Sequence, residues 1–296
     1  MSNGADWRSL YPFESHELRI DGLRYHYVDE GAGEVLLLVH GNPTWSFYWR
    51  SVIAGLRDRY RVIAVDHMGC GLSDKPQRYP YRLAQHIANQ RQLIAELELR
   101  DITLVAHDWG GAIGVGAAVE EPQRFARLVL LNTAAFRSKR IPWRIRICRT
   151  PLLGPLAVRG LNAFALAALR MAVCHRERLT PEVKAGLLAP YRSWHDRVAI
   201  LRFVEDIPLD PRHPSYETLA NIEARLSALR DLPTLLIWGM RDWCFTPHFL
   251  ERFQEFFPDA EIERFADAGH YVVEDVAERI VPRLERFLAI HQLAPR

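Results

Sequence analysis

The chain has 296 residues, of which 49% are hydrophobic and 25% are charged, and its formal net charge is +2. A charge this small argues against a general nucleic-acid binder, and the length suits either one α/β domain with an insertion or two small domains. No signal-peptide pattern opens the sequence, and no apolar run approaches the roughly 20 residues that cross a bilayer. We therefore expect a cytoplasmic protein whose core needs no metal or disulfide.

Short aliphatic or alternating runs predict eight strands, at residues 16–21, 24–29, 35–39, 62–65, 102–106, 128–131, 234–238 and 261–265. Helical spacing or composition predicts helices at residues 46–56, 83–97, 110–120, 247–256 and 276–293. Strands that alternate with helices in this way indicate the α/β class, with a mostly parallel sheet covered by helices on both faces.

The pattern changes between residues 133 and 232, where the sequence carries helical periodicity and prolines but no run typical of a buried strand. We interpret this stretch as a helical cap, inserted into a core that is formed by residues 1–132 and 233–296. An insertion at the carboxyl edge of the strands would cover the crevice in which α/β sheets bind ligands.

The four cysteines are scattered through the chain without CxxC spacing, which indicates neither a disulfide framework nor a zinc site. We expect ordinary buried thiols at Cys70, Cys148, Cys174 and Cys244. The histidines also lack the spacing of metal ligands, so the sequence predicts neither a metal nor an organic cofactor.

Four polar residues lie in loops that follow predicted buried strands: Asn42, Asp108, Asp242 and His270. Parallel strands bring the loops at their carboxyl ends to the same edge of the sheet. We therefore expect these four side chains, although distant in sequence, to meet beneath the cap.

The loop at 106–110 has the small-x-nucleophile-x-Gly pattern of a nucleophile elbow, with Asp108 in the position usually held by serine. Its glycines permit a sharp turn, and the following helix directs its positive end at the site. The competing interpretation is that Asp108 is only a helix N-cap, a common role for aspartate. The strand before it, the glycine pair after it and the downstream acid and histidine favour a nucleophile. A carboxylate suits displacement at a saturated carbon, which forms an alkyl ester.

Asp108, Asp242 and His270 occur in the chain order nucleophile, acid, histidine that α/β-hydrolase triads share. Asp242 could instead pair with Arg241 or cap a following helix. The other place where such an acid could stand, residues 131–134, contains no glutamate. We therefore expect Asp242 to hold the imidazole of His270 in position.

Four motifs resemble those of the haloalkane dehalogenase family: HGNPTW at 40–45, DHMGCGLSDKP at 66–76, HDWGG at 107–111 and AGHYVVED at 268–275. The resemblance covers nearly the whole chain and implies an α/β-hydrolase fold. It also implies that Asn42 and Trp109 donate side-chain N–H groups to a leaving halide, as in the subgroup with an Asp-His-Asp triad. Epoxide hydrolases are similar, but they usually have an aromatic residue in place of Asn42. They protonate the epoxide with cap tyrosines, here Tyr191 or Tyr216.

Within this group, the stretches at 131–136, 187–216 and 238–247 resemble the β-lactone decarboxylases of bacterial long-chain olefin biosynthesis. Those enzymes turn a cis-3,4-dialkyl β-lactone into a cis-alkene and carbon dioxide. The resemblance implies this activity for the chain, with a small, apolar, long-chain substrate and assembly with other olefin-pathway enzymes. Haloalkane dehalogenation, epoxide hydrolysis and binding of an apolar ligand without catalysis are the alternatives.

The stretch from Arg137 to Arg149 packs six basic residues into thirteen. The simplest interpretation is a solvated rim at the entrance of the cap. Because tryptophan and isoleucine alternate with these cations, the alternative is contact with a membrane surface or an acidic partner.

Overall fold

The structure is a computed structural model that describes residues 6–293. Residues 1–5 and 294–296 lie outside the described residues. They are the two ends of the expected core, and residues 1–5 also open the stretch in which no signal peptide is expected. The strands are β1 (Ser15–Ile20), β2 (Leu23–Glu30), β3 (Val35–Val39), β4 (Arg61–Val65), β5 (Ile102–Asp108), β6 (Phe125–Thr133), β7 (Thr234–Gly239) and β8 (Glu261–Phe265).

All eight strands form one sheet in the order β1-β2-β4-β3-β5-β6-β7-β8. The pairs from β4 to β8 are parallel, whereas β2 pairs antiparallel with β1 and with β4. The predicted mostly parallel sheet is thus confirmed. Because β3, β5, β6, β7 and β8 are successive neighbours, their carboxyl ends form one continuous edge where the polar loops meet.

Eleven α-helices accompany the sheet within residues 6–293: α1 (Arg50–Leu56), α2 (Leu83–Glu96), α3 (Trp109–Glu120), α4 (Trp143–Ile147), α5 (Leu153–Pro155), α6 (Ala163–Met171), α7 (Pro181–Leu188), α8 (Val198–Glu205), α9 (Tyr216–Arg225), α10 (Pro247–Phe256) and α11 (Val272–Ile290). Residues 134–233, all of them described, form α4–α9 and no strand. No described helix has the length and apolar character that a membrane crossing requires.

The central strands are buried on both faces because their side chains alternate between two apolar layers. In β3, Leu37 and Val39 belong to the layer that includes apolar residues of α2, α3 and α10. Leu36 and Leu38 belong to the opposite layer, with α1 and α11. A continuous aliphatic run is therefore needed in such a strand, which is why these strands could be recognised in the sequence.

Two helices differ from the prediction. The helix predicted at 46–56 begins as a 3₁₀ turn, Ser46–Trp49, before α1. The last helix starts and ends earlier than predicted, and its backbone leaves helical geometry at Val276, with φ −143° and ψ 36°. Beside this break, the Asp275 carboxylate accepts N–H groups from Gly269 and Cys174. Tertiary contacts of this kind are invisible to a search for periodicity.

The cysteine prediction was partly wrong. All four cysteines are free, but only Cys70 is buried, and Cys148, Cys174 and Cys244 are partly exposed.

The turn from β5 into α3 is closely packed. A Cβ atom on Gly110 would lie 2.0 Å from the carbonyl oxygen of Val39, and one on Gly111 would lie 1.9 Å from Oγ1 of Thr133. Favourable contacts between nonbonded atoms need about 3.5 Å or more. Glycine at both positions therefore allows the ends of β3 and β6 to close on this turn.

We expect Gly110→Ala to lower the free energy of unfolding by about 3 kcal/mol, because a backbone carbonyl must move to accept the methyl group. Gly160→Ala is the matched control, since its Cβ would lie 3.3 Å from the flexible end of Leu156. Urea denaturation of both variants measures the difference. Equal stability of the two would contradict the tight closure of the turn.

Candidate active site

Asp108 ends β5 and stands in the N-cap position of α3, yet its side chain makes no capping hydrogen bond. Its backbone has φ 53° and ψ −125°. A positive φ is uncommon for a residue with a side chain and persists only where the surroundings hold it. The carboxylate of Asp108 borders a cavity instead of closing the helix end.

Backbone amides support the ionised form of Asp108. The amide of Asn42 donates to Oδ1 at 2.6 Å. This approach requires Gly41, because a Cβ atom there would lie 2.0 Å from the same oxygen. Burial is the largest influence and leaves the pKa of Asp108 above its ordinary value, although the charge of His270 and the amides of Asn42 and Trp109 lower it.

His270 lies between two carboxylates. Its Nδ1 is 2.8 Å from Oδ2 of Asp242, and its Nε2 is 3.7 Å from Oδ2 of Asp108. Burial opposes a charged imidazole, but the charge and hydrogen bond of Asp242, together with the charge of Asp108, outweigh it and raise the pKa of His270. The three side chains predicted to form a triad are thus adjacent, with the imidazole in the middle.

Asp242 has none of the competing roles considered from the sequence. Arg241 donates to the carbonyl of Ala266 rather than to its neighbour. The second oxygen of Asp242, Oδ1, accepts the amides of Cys244 at 2.6 Å and Phe245 at 3.1 Å. These two bonds fix the carboxylate with Oδ2 directed at His270.

Asn132, at the end of β6, is a positioning residue that was not predicted. Its Nδ2 donates to Oδ2 of Asp242 at 3.0 Å, and its Oδ1 accepts the amide of Gly239 at 2.8 Å. Asn132 is fully buried, with φ 34°, a conformation that asparagine tolerates better than most residues. The available signal was its place after the strand predicted at 128–131, the same criterion that located Asp108.

Two further residues hold the loop that carries His270. The Nε2 of His107 lies 2.8 Å from the carbonyl oxygen of His270. The buried carboxylate of Asp275 accepts the amides of Gly269 at 2.7 Å and Cys174 at 2.9 Å. Both residues fall inside motifs used for the resemblance, but nothing in the sequence indicated what they would contact.

The side chains of Asn42 and Trp109 both border the cavity. One N–H of Asn42 donates to the carbonyl of Ile200 in α8 at 3.1 Å, so only its second N–H faces other partners. The ring of Trp109 packs against Phe203, and its indole N–H has no acceptor among the described residues. These two N–H groups are the side-chain donors left for an anion beside Asp108.

The cavity has a volume of ≈ 330 Å³ and a mostly apolar lining. Helix α6 contributes Phe164 and Met171, and the loop after β7 contributes Trp243 and Phe245. Besides the polar groups around Asp108, the lining includes Ser138, Arg140 and Arg144. A mostly apolar pocket with a few polar groups suits an apolar molecule that has one reactive part to be oriented. Within residues 6–293, no group of three or more His, Cys, Asp or Glu side chains is arranged to hold a metal ion.

The tyrosines considered as proton donors to an epoxide lie elsewhere. The hydroxyl of Tyr191 donates to the carbonyl of Thr44 at 3.0 Å, and the ring of Tyr216 lies beneath the guanidinium of Arg137. Neither residue borders the cavity, although Tyr271, in the loop after β8, does so.

Comparisons with known proteins identify the family of this chain. A family model described as alpha/beta hydrolase fold matches residues 34–151 and 188–276. The cis-3-alkyl-4-alkyloxetan-2-one decarboxylase of Shewanella oneidensis is 42% identical over 286 residues, which cover 95% of this chain and 90% of the relative. The protein of the same name from Xanthomonas campestris pv. campestris is 40% identical, covering 94% of this chain and 97% of the relative.

Haloalkane dehalogenases are also similar to this chain. Haloalkane dehalogenase 2 of Mycobacterium bovis is 34% identical, over 94% of this chain and 96% of the relative. The crystal structure of the haloalkane dehalogenase DatA from Agrobacterium tumefaciens C58 has a TM-score of 0.85 and 28% identity, covering 94% of this chain and 97% of that one. The chain therefore belongs to the α/β-hydrolase family of enzymes, in the group that contains the cis-3-alkyl-4-alkyloxetan-2-one decarboxylases and the haloalkane dehalogenases.

Proposed function

We propose that this protein is a β-lactone decarboxylase that converts a cis-3-alkyl-4-alkyloxetan-2-one into a cis-alkene and carbon dioxide, in long-chain olefin biosynthesis. The observation that carries this choice is the sequence comparison. The two decarboxylases are 42% and 40% identical to this chain, whereas the haloalkane dehalogenase of Mycobacterium bovis is 34% identical. A small apolar substrate also agrees with the lining of the cavity.

The first step would be attack by Asp108 on the ring carbon that bears oxygen. Its Oδ1 is engaged by the amide of Asn42 at 2.6 Å, which leaves Oδ2 to act as the nucleophile. A bond forms between Oδ2 and the ring carbon, and the ring C–O bond breaks. The departing oxygen takes its electron pair and becomes part of a carboxylate on the adjacent carbon. Relief of ring strain favours this opening.

The second step would release the alkene without water. The bond between the new carboxylate and its carbon breaks, and its electron pair forms the carbon–carbon double bond. The bond between the substrate carbon and Oδ2 of Asp108 breaks, and its electron pair stays on Oδ2, which regenerates the carboxylate. Inversion in the first step and anti elimination in the second convert a cis lactone into a cis alkene. A concerted fragmentation of the ring would yield the same products.

In this scheme the polar groups around Asp108 stabilise charge. The new carboxylate would accept N–H groups from Trp109 and Asn42, whose side chains border the cavity. Asp242 would hold His270 in position and stabilise its cation, which lies beside Oδ2 of Asp108 at 3.7 Å. No proton needs to leave the substrate, so the imidazole serves here as a positioned charge rather than as a base.

Haloalkane dehalogenation is the second candidate, because it would use the same five residues. Asp108 would displace a halide, and His270 would then deprotonate a water that attacks the ester carbonyl. Epoxide hydrolysis has less support, since the two tyrosines that the resemblance offered do not border the cavity. A binding protein without catalysis would have no need for the buried Asp108, His270 and Asp242 in contact.

We also propose a division of the chain into a core, residues 1–132 and 233–296, and a helical cap, residues 133–232. Support comes from the cavity lining, to which this segment contributes Phe164 and Met171 while the core contributes Asp108. Assembly with the enzymes that make the lactone and a location in the cytoplasm belong to the same proposal.

We expect purified protein to release alkene and carbon dioxide from a cis-β-lactone, with little bromide from a bromoalkane offered in parallel. Asp108→Asn should lower the rate of alkene formation by ~10³-fold or more, because the nucleophile is lost. Asp259→Asn, which changes an exposed carboxylate, is the control. Gas chromatography and halide analysis measure both reactions. Rapid bromide release, or a stable alcohol in place of the alkene, would refute the lactone assignment.

Oxygen-18 water distinguishes the two candidate reactions at Asp108 itself. Hydrolysis of an alkyl ester through its carbonyl would place a water oxygen in this carboxylate, whereas decarboxylative elimination would not. We therefore expect the peptide that contains Asp108 to keep its mass after many lactone turnovers in labelled water. Mass spectrometry of the digested protein gives the result, and label in that peptide would indicate a hydrolytic route.

The pKa shifts predict the acid side of the pH profile. Decarboxylation needs ionised Asp108, and burial raises its pKa, so kcat/KM should fall with decreasing pH at a higher pH than for an ordinary aspartate near 3.9. His270⁺ lowers the pKa of Asp108, so His270→Gln should move this fall to still higher pH. Dehalogenation needs neutral His270 instead, and it would fail already below the raised pKa of this imidazole. A rate that rises as His270 loses its proton would contradict decarboxylation.

A further inference from the structure

The positive charge of the chain is concentrated in one segment. Residues 137–176 contain nine Lys and Arg and no Asp or Glu, although the whole chain has 38 basic and 36 acidic residues. Within this segment Arg137 forms an ion pair with Glu223. No described carboxylate pairs with the other cations near α4, which are Lys139, Arg140, Arg144, Arg146 and Arg149. This part of the surface therefore carries uncompensated positive charge.

Large apolar side chains are exposed in the same segment. Of the ten exposed large hydrophobic residues in the described chain, seven lie between residues 143 and 166. Five of them define what we call the exposed apolar patch: Trp143, Ile147, Leu152, Leu153 and Leu156. Scattered apolar residues on a surface need no explanation, but a cluster bordered by polar groups indicates a binding surface.

The two segments that carry the five residues of this patch pack together. Trp143 and Ile147 are four residues apart in α4, so their side chains lie on the same face. Leu156 follows Leu152 at the same spacing, and its amide donates to the carbonyl of Leu152. A Cβ atom on Gly154 would lie 2.2 Å from the carbonyl oxygen of Cys148, so the chain around α5 packs directly against the end of α4.

Leu152 lies in a strained turn and is exposed to solvent. The amide of Leu153 donates to the carbonyl of Pro151 at 2.7 Å, which makes Leu152 the apex of a γ-turn with φ 64°. This turn is rare and strained for a residue with a side chain. The leucine is nevertheless 88% exposed, so it gains no burial in the isolated chain.

Helix α4 separates the patch from the cavity. Trp143 and Ile147 face outward, whereas Ile145 and Cys148 lie on the opposite side of the helix and border the cavity. Arg144, at the boundary between the two sides, also borders the cavity and lies over the ring of Trp143. A surface bound to the patch would therefore be one helix away from the substrate.

We infer that the exposed apolar patch docks on the surface of an anionic lipid bilayer, with the leucines of the γ-turn in the interfacial layer and the neighbouring cations on the headgroups. A protruding apolar turn bordered by unpaired Arg and Lys fits a deformable, negatively charged surface. A second copy of the chain would instead bring like charges together. An apolar substrate could then pass from the bilayer into the cavity, whichever leaving group the enzyme removes.

Flotation with vesicles tests the docking. The full chain should float with vesicles of phosphatidylcholine and phosphatidylglycerol, and less with phosphatidylcholine alone. Leu152→Ser, Leu153→Ser and Leu156→Ser together should lower the bound fraction by about tenfold, because the apolar contact is lost. Lys139→Gln with Arg146→Gln should weaken binding and reduce its dependence on salt. Ile290→Ser, which removes an exposed apolar side chain outside the patch, should bind as the parent does.

None of the substituted residues borders the cavity, so turnover of a short, water-soluble substrate should be unchanged in every variant and reports correct folding. Absence of vesicle binding by the parent chain would overturn the inference, as would unchanged binding by the leucine variant. If the parent chain did not bind vesicles and the leucine substitutions changed its oligomeric state in light scattering, the patch would be an interface between copies of the chain and the inference would be wrong. Because vesicle binding is measured without catalysis, its failure is distinct from failure of the lactone assignment.

Discussion

The close approach of the β3 loop to the elbow of Asp108 is the constraint on which the rest of the site depends. Gly41 has no side chain that would overlap the Asp108 carboxylate. Gly110 has none that would overlap the backbone carbonyls of Val39 and His40. The same contact brings the amide of Asn42 onto Oδ1, which leaves Oδ2 directed towards His270. The packing that closes the turn is therefore also what leaves Oδ2 of Asp108, the proposed nucleophile, free of a backbone donor.

The electrostatics of the site are a balance between burial and a few fixed donors. Burial raises the pKa of Asp108, and the nearby imidazole and amides oppose that shift. Burial lowers the pKa of His270, but Asp242 and Asp108 together outweigh burial, so the pKa of His270 is raised. Asn132 and the amides of Cys244 and Phe245 hold Asp242 in the orientation that this balance requires.

The helical segment above the sheet connects this site to the surface. One side of α4 borders the cavity, and the other side carries exposed apolar residues among unpaired cations. The side-chain amide of Asn42 donates to the carbonyl of Ile200, so a hydrogen bond joins α8 of the same segment to the loop after β3. The side of α4 that borders the cavity and the carbonyl of α8 that accepts from Asn42 therefore both belong to the segment 134–233.

The sequence by itself determined the eight strands along the chain and the four loops that carry Asn42, Asp108, Asp242 and His270. Strands buried on both faces require aliphatic runs, and parallel strands bring their carboxyl ends to one edge. Their order in the sheet came from the structure. The sequence did not determine the roles of Asn132, Asp275 and His107, whose partners lie up to 163 residues away in the chain. Nor did it determine the break in α11 or the engagement of Asn42 by α8. Those features arise from contacts between distant segments, and only the tertiary structure decides which polar atoms come within hydrogen-bonding distance.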